Sequence, residues 1–290
     1  MNWEETIRYI RTQPEYQQLV EKSYLDENLK LNVERFMSSA ELQETLKLFH
    51  KYAPSAKKIL DIGAGNGISS IAFALKGYHV TVVEPDPSNT VGCGAIELLK
   101  NEFNLLNLNI INSFGEKLPL PDQHFDVVYI RQAMHHAAEL DLFVREAARV
   151  LAPEGLLMTI RDHVIYNKKD KQQFLDTHPL QKFYGGENAF TKAEYSEAML
   201  KAGLKIESTI GYYDSVINFF PQSPEDVKNI RQHMRKNFKK SMQKRFGSWI
   251  VNFPFLQLLE LAAQFNKGKW DDDIRVPGRM YSFIAIKNLS

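Results

Sequence analysis

The chain has 290 residues, 44% of them hydrophobic and 24% charged. These are the proportions of an ordinary folded domain, and they exclude a disordered chain, a collagen-like repeat and a coiled-coil rod. Thirty-six Lys plus Arg against thirty-five Asp plus Glu leave +1, and Cys93 is the single cysteine, so no overall field recruits nucleic acid and neither an intramolecular disulfide nor a Cys-rich zinc site can form.

Residues 1–18 carry charge throughout and lack the apolar run of a secretory signal. The least polar long stretch, Phe246 to Phe265, is interrupted by Asn252, Pro254, Gln257, Glu260 and Gln264. It is a poor match to the roughly 20 apolar residues of a membrane span. With one cysteine and no such segment, a cytoplasmic location is expected. The length suits two domains, or one large α/β domain with an embellishment.

Residues 1–56 read as helical. Ser38 to Glu41 predicts a capping box, with the Ser38 hydroxyl taking a free backbone N–H and Glu41 reaching back. Leu42, Leu46 and Phe49 follow at helical spacing. From Lys58 the period changes: Lys58–Ile62 predicts a buried strand, Ile68–Lys76 a helix ended by Gly77, and His79–Glu84 a second strand. A helix over 88–101, strands over 108–112, 125–130 and 156–160, and a helix over 140–151 complete the series. Strands alternating with helices at this spacing predict right-handed βαβ units and a doubly wound, mostly parallel sheet.

Beyond Arg161 the pattern loosens. Residues 166–190 read as a loop or lid with short helical pieces, and Thr191 to Glu194 as a capping box that opens a helix ended by Gly203. Residues 205–212 and 280–286 alternate like strands, with more than sixty mainly helical residues between them.

The informative stretch is Asp61–Gly67, in which Gly63, Gly65 and Gly67 lie between a strand and a helix. Glycines there let the backbone turn sharply beside the unpaired N–H groups of a helix start and approach a ligand. Glu84 ends the next strand, 21 residues after Gly63, where a carboxylate can accept both ribose hydroxyls of a nucleoside. A dinucleotide fingerprint wants its third glycine where Ile68 stands, one residue beyond Gly67.

Residues 59–67 (ILDIGAGNG) resemble the first motif of class I S-adenosylmethionine-dependent methyltransferases. Glu116–Asp122 with Phe125–Val128 resembles their small-molecule branch, which includes ubiquinone and menaquinone methyltransferases. Met134–His136 and Glu146–Gly155 continue the resemblance in order, over about a third of the chain. The resemblance implies a seven-stranded Rossmann-like sheet and S-adenosylmethionine as cofactor. Gly63, Ala64, Gly65 and Gly67 would shape the loop around its methionine part, with Asp61 steadying the loop. Glu84 would hold the ribose and Pro85 would border the adenine. Arg131 would lie near the methionine end. Many relatives carry an Asp where this chain has Phe114, so ring packing with the backbone of Ser113 to Gly115 would replace an adenine hydrogen bond.

Methyl transfer from a sulfonium needs nucleophile, carbon and sulfur held in line, and a base only for some acceptors. His135 and His136 follow the fourth strand, and His163 the fifth, at the edge where open α/β sheets bind ligands. Each is a candidate base or substrate contact; the competing reading is a histidine that only packs. Asp162 could orient an imidazole. No metal site is expected: ligand spacings such as HxxxH are lacking, and Asp271–Asp273 read as a solvated turn.

Residues 225–246 hold eight basic residues and two acids, followed by the apolar Trp249, Ile250, Val251, Phe253 and Phe255. A basic helix beside an aromatic apolar one suits a lid over its own domain, or peripheral contact with an anionic membrane through 225–265. The expected organisation is an N-terminal helical cap (1–56), a cofactor domain (57–212 plus 279–290) and a helical insertion or lid (213–278). The expected function is methyl transfer to O, N or C of a small-molecule acceptor, anionic or lipid-like, without nucleic acid. The rivals are a nicotinamide oxidoreductase on the same sheet and a cofactor-binding protein that transfers nothing.

Overall fold

A computed structural model describes residues 1–219, 222–247 and 276–289. Four helices come first: α1 (Trp3–Arg11), α2 (Gln17–Lys22), α3 (Leu29–Met37) and α4 (Ala40–Tyr52). The cap of α4 differs from the expected box. Ser39, not Ser38, accepts the Leu42 N–H, because Glu41 is buried and turned away to pair with arginines.

The series continues with β1 (Lys58–Ile62), α5 (Ile68–Leu75), β2 (His79–Val83), α6 (Cys93–Glu102), β3 (Leu108–Ile111), β4 (Phe125–Arg131), α7 (Leu140–Val150) and β5 (Leu151–Ile165). The helix expected from residue 88 starts at Cys93 instead. Pro85 and Pro87 flank a turn in which the Asp86 side chain accepts the Ser88 N–H and its carbonyl accepts that of Cys93. After β5 come α8 (Lys168–Thr177), α9 (Gln181–Tyr184), the two-residue β6 (Phe190–Thr191), α10 (Lys192–Lys201), β7 (Leu204–Ile210), α11 (Val216–Phe219), α12 (Pro224–Phe246) and β8 (Arg279–Lys287). The Thr191–Glu194 capping box forms as expected. The apolar stretch after Gly247 and Asp271–Asp273 lie outside the described residues.

The sheet runs β3-β2-β1-β4-β5-β8-β7, with β6 on the end of β5. Its strands are parallel except β8, which lies antiparallel between β5 and β7. Both faces are covered, so the central strands read as continuous apolar runs. On one face Phe36, Phe49, Phe73 and Tyr129 join α3, α4 and α5 to the sheet; on the other, Phe143, Val144 and Tyr195 join α7 and α10. The N-terminal helices α3 and α4 thus share a core with the sheet. A third cluster packs Ile7 and Ile10 of α1 against Val20, Val91 and Leu180. Among the described residues no helix is long and apolar enough to cross a membrane.

β5 is longer than the expected 156–160. It bends between Thr159 and Asp162, where Arg161 takes φ +61° and donates its N–H to Ser282 Oγ, and resumes pairing with β8 through Val164. The extension places Asp162 and His163, both buried, inside the sheet.

Candidate active site

The carboxyl ends of β1, β2, β3 and β4 share one edge of the sheet, and the residues expected to hold a cofactor follow those ends. Asp61 is fully buried. Its Oδ2 accepts hydrogen bonds from Ser69 Oγ (2.8 Å) and Ser70 Oγ at the start of α5, which pins the loop between them. Burial pushes its carboxyl up to about 6, against those two bonds.

The three glycines serve different ends. Gly63 and Gly67 take φ +69° and +79°; a Cβ would lie 2.5 Å from that of Ala133 in the first and 2.7 Å from Ile96 Cγ1 in the second. Both make room for the protein's own chain. Gly65 has φ +58°, and its Cβ would meet nothing closer than 4.0 Å, at the Val91 carbonyl. Gly65 is therefore the glycine with open space beside it, and Ala64 before it is half-buried. Asn66 donates to the Tyr24 carbonyl at 2.6 Å and ties the loop to the N-terminal segment.

Glu84 accepts the Gly65 N–H at 2.7 Å on one oxygen and the Asp86 N–H at 2.9 Å on the other. Burial pushes its carboxyl up to about 7 although both bonds favour the charge. Each oxygen keeps a lone pair for a hydroxyl. Asn112 after β3 donates to the Glu84 and Pro85 carbonyls and fixes that corner. Ser113 turns its hydroxyl to the Lys117 carbonyl. The Phe114 ring is 67% exposed and free to stack on a planar group. Gly115 admits Phe143, whose ring would stand 2.2 Å from a Cβ there.

Arg131 has a partner that its place in the sequence does not announce. Its Nε and Nη2 donate to Glu41 Oε1 and Oε2 at 2.6 and 3.1 Å, and its guanidinium lies over the rings of Tyr24 and Phe36. Arg161 approaches the same carboxylate at 3.8 Å. This protein pair, not a ligand, engages two of the Arg131 nitrogens.

The three candidate histidines come together. Asp162 Oδ1 lies 3.1 Å from His135 Nδ1 and accepts the His135 backbone N–H. His135 Nε2 lies 3.7 Å from Glu187 Oε2. Burial opposes a charge on His135, but the two carboxylates outweigh it and raise its affinity for a proton. The His136 ring is tilted over that of His135 at 4.1 Å and its Nδ1 meets the Gly186 carbonyl. The His163 ring stands edge-on to His135 at 4.7 Å, with Nδ1 on the Gly278 carbonyl. Burial, then the nearby His135 charge, lowers His163 to about 3. His178 joins from behind, its Nδ1 3.4 Å from Glu187 Oε1. Such a cluster can move protons at the sheet edge or hold a cation.

Residues 60–159 match the family model of a methyltransferase domain. This segment is a class I methyltransferase domain. The family implies S-adenosylmethionine as methyl donor. The chain is similar to a fatty-acid O-methyltransferase of Mycolicibacterium smegmatis, 26% identical over 141 residues, 47% of this chain and 50% of that one. It is also similar to the ubiquinone/menaquinone biosynthesis C-methyltransferase UbiE of Shewanella sediminis, 30% identical over 104 residues, 36% and 41% of the two chains. The chain spans half or less of the length of these curated relatives. Among solved structures, a geranyl diphosphate C-methyltransferase from Streptomyces coelicolor superposes with a TM-score of 0.57 at 13% identity, over 97% of this chain and 87% of that one.

The matched segment of the methyltransferase domain includes Asp61, the glycine loop, Glu84, Arg131, His135 and His136, and stops before Asp162 and His163. Glu41, Asn66, His178 and Glu187 join the site without a local sequence signal for it: a buried acid early in a helix reads only as a cap, and Glu187 lies in a polar loop without periodicity.

Proposed function

We propose that the protein transfers a methyl group from S-adenosylmethionine to oxygen, nitrogen or carbon of a small-molecule acceptor by in-line displacement. The observation that carries the reading is the pairing of Gly65, open on one side, with Glu84 at the end of β2, inside a segment that matches a methyltransferase domain.

The residues fit the cofactor. Asp61 Oδ1 is buried without a hydrogen-bond partner in the wall of the glycine loop, and Glu84 keeps acceptor capacity on both oxygens. Gly63, Ala64, Gly65 and Gly67 would line the methionine part, Glu84 the ribose, and Pro85, Ser113, Phe114 and Gly115 the adenine. Arg131 would act through the Glu41 pair that positions it. When bound, the cofactor supplies an electrophilic methyl on sulfur. The chain's part is to align the acceptor, which can lower a barrier by about 7–11 kcal/mol, and to take a proton where the acceptor must lose one. His136 suits the second role. Burial against the cluster, then the nearby His135 charge, lowers it to about 4, so it rests neutral; with Nδ1–H on the Gly186 carbonyl, Nε2 keeps the lone pair, and it would serve as a weak base.

The acceptor is proposed to be lipid-like or anionic. The relatives' names, a fatty-acid O-methyltransferase and a ubiquinone/menaquinone C-methyltransferase, support the first, and the basic run 225–246 supports the second. Residues 57–212 with 279–290 would hold the cofactor, with 1–56 as a cap and 213–278 as a lid, of which 220–221 and 248–275 lie outside the described residues. A cytoplasmic enzyme that touches membrane peripherally through 225–265 fits such an acceptor; salt-sensitive co-sedimentation with anionic liposomes tests this. Transfer of labelled methyl groups to a panel of fatty acids, quinols and isoprenoid phosphates tests the function. Cofactor binding without transfer to any of them would favour the non-catalytic reading.

A further inference from the structure

Four of the eight histidines, His135, His136, His163 and His178, gather at one place with two buried acids, Asp162 and Glu187. One donor atom each from His135, His163 and Glu187 lie within 4.8 Å of one another. Octahedral or tetrahedral coordination at about 2.1 Å sets neighbouring ligand atoms about 3.0–3.4 Å apart, so closing a 4.8 Å separation by about 1.4–1.8 Å through side-chain rotation would bring the three around one ion.

The surroundings orient each donor as a metal site requires. A ligating histidine commonly donates its second ring N–H to a carboxylate or a backbone carbonyl, which fixes the tautomer and aims the free lone pair. His135 places Nδ1 on Asp162 Oδ1 and His163 places Nδ1 on the Gly278 carbonyl. Both acceptors take only a hydrogen, so Nε2 is left as the donor in each neutral ring. Glu187 is held in the same manner: Oε1 accepts from the Tyr184 hydroxyl and faces His178. Its Oε2 is buried without a hydrogen-bond partner, on the side of His135, in a side chain only 5% exposed. A buried carboxylate oxygen 3.7 Å from His135 Nε2, with a His163 ring nitrogen within 4.8 Å of both residues' donor atoms and the remaining ring nitrogens and Oε1 anchored, asks for a cation.

We propose that His135, His163 and Glu187 form a binding site for a divalent transition ion of the zinc, iron or cobalt class, with coordination positions left open. Two imidazoles and one carboxylate suit those ions; magnesium and calcium prefer all-oxygen sets. The ligands come from the turn after β4, from the extension of β5 and from the loop before β6, so no local spacing announces the site. Its open positions accept oxygen from water or, on the methyl-transfer reading, from an acceptor. The site itself does not depend on that reading.

The test uses the full chain, free of any affinity tag, stripped with a chelator and without cofactor or acceptor. Zinc is titrated calorimetrically, and cobalt by its visible absorption, which reports nitrogen and oxygen ligation. One ion per chain is expected at micromolar free metal, undiminished by excess magnesium. Glu187→Gln and His163→Ala should weaken binding at least about tenfold, and Asp162→Asn about 10–100-fold through His135. Replacing the exposed His124 should change nothing. Wild-type protein that takes up no ion, or variants at Glu187 and His163 that bind as wild type does, would overturn the site. Because the wild-type titration decides alone, poor folding of a variant leaves the proposal falsifiable. Metal binding without any uptake of S-adenosylhomocysteine would instead contradict the methyltransferase reading and leave the metal site standing.

Discussion

Glu41 on α4 and Arg131 at the end of β4 form a bidentate pair at 2.6 and 3.1 Å, with the carboxylate fully buried and the guanidinium 12% exposed. The pair fastens the N-terminal segment to the strand that ends beside the glycine loop. Arg161 nearby adds a second positive charge to the same carboxylate. Removing one partner of a buried pair leaves the other charge uncompensated and costs about 3–5 kcal/mol. Glu41→Ala should lower unfolding stability by that amount in urea, and the double replacement Glu41→Leu with Arg131→Met should recover much of it. A single-variant loss within error of zero would show that the pair is not coupled to the fold.

The ribose role of Glu84 predicts a loss of cofactor affinity. A charge-assisted hydrogen bond is worth about 1.5–3 kcal/mol, so Glu84→Ala, which removes at least one, should raise the Kd for S-adenosylhomocysteine at least about tenfold to a hundredfold. Unchanged affinity removes Glu84 from that role.

The same residue sets a pH dependence. Burial raises the Glu84 carboxyl from 4.5 to about 7. A raised acid favours the protonated form in the folded state. Its contribution to stability is therefore present below the unfolded value, near 4.5, and lost as pH rises through about 7. Cofactor binding should run the other way, because the ionised carboxylate is the better acceptor of hydroxyl hydrogens. Affinity for S-adenosylhomocysteine should therefore rise between about pH 6 and pH 8, and Glu84→Ala should flatten that slope. A slope that persists in the variant assigns it to another group.

Gly65 and Gly67 separate binding from folding. Alanine at Gly67 would meet Ile96 at 2.7 Å in a left-handed backbone, so Gly67→Ala should destabilise the apo protein by about 2 kcal/mol or more. Alanine at Gly65 meets nothing closer than 4.0 Å and bears only the left-handed cost, about 1–2 kcal/mol. Its methyl projects into the space proposed for the cofactor. Gly65→Ala should consequently lose more binding than stability, and Gly67→Ala the reverse; thermal melts and calorimetry on both variants decide.

Much of this fold is legible in the sequence, for a definite reason. β1, β2 and β4 are buried on both faces, so each is a short apolar run bounded by turn residues, and the helices between them keep one apolar face. The cofactor edge is legible too, because Asp61, Gly63 to Gly67 and Glu84 come from two consecutive strand ends. What escapes is long-range. Residues 161–163 of β5 look like a loop because they are charged, yet Arg161, Asp162 and His163 are buried by pairing with β8, more than a hundred residues later. Glu187 enters the histidine cluster from a polar loop held by Tyr184. Ser39 replaces Ser38 as the cap because Glu41 is drawn to Arg131. In each case the deciding partner lies outside the local pattern.

Binding of S-adenosylmethionine at the edge built by Gly65 and Glu84 underlies every functional step proposed above. Calorimetric titration of the full chain with S-adenosylhomocysteine and, separately, with NADH tests it most directly. Saturable micromolar binding of S-adenosylhomocysteine, weakened by Glu84→Ala, is expected, with no heat from NADH. Binding of NADH without binding of S-adenosylhomocysteine would contradict it.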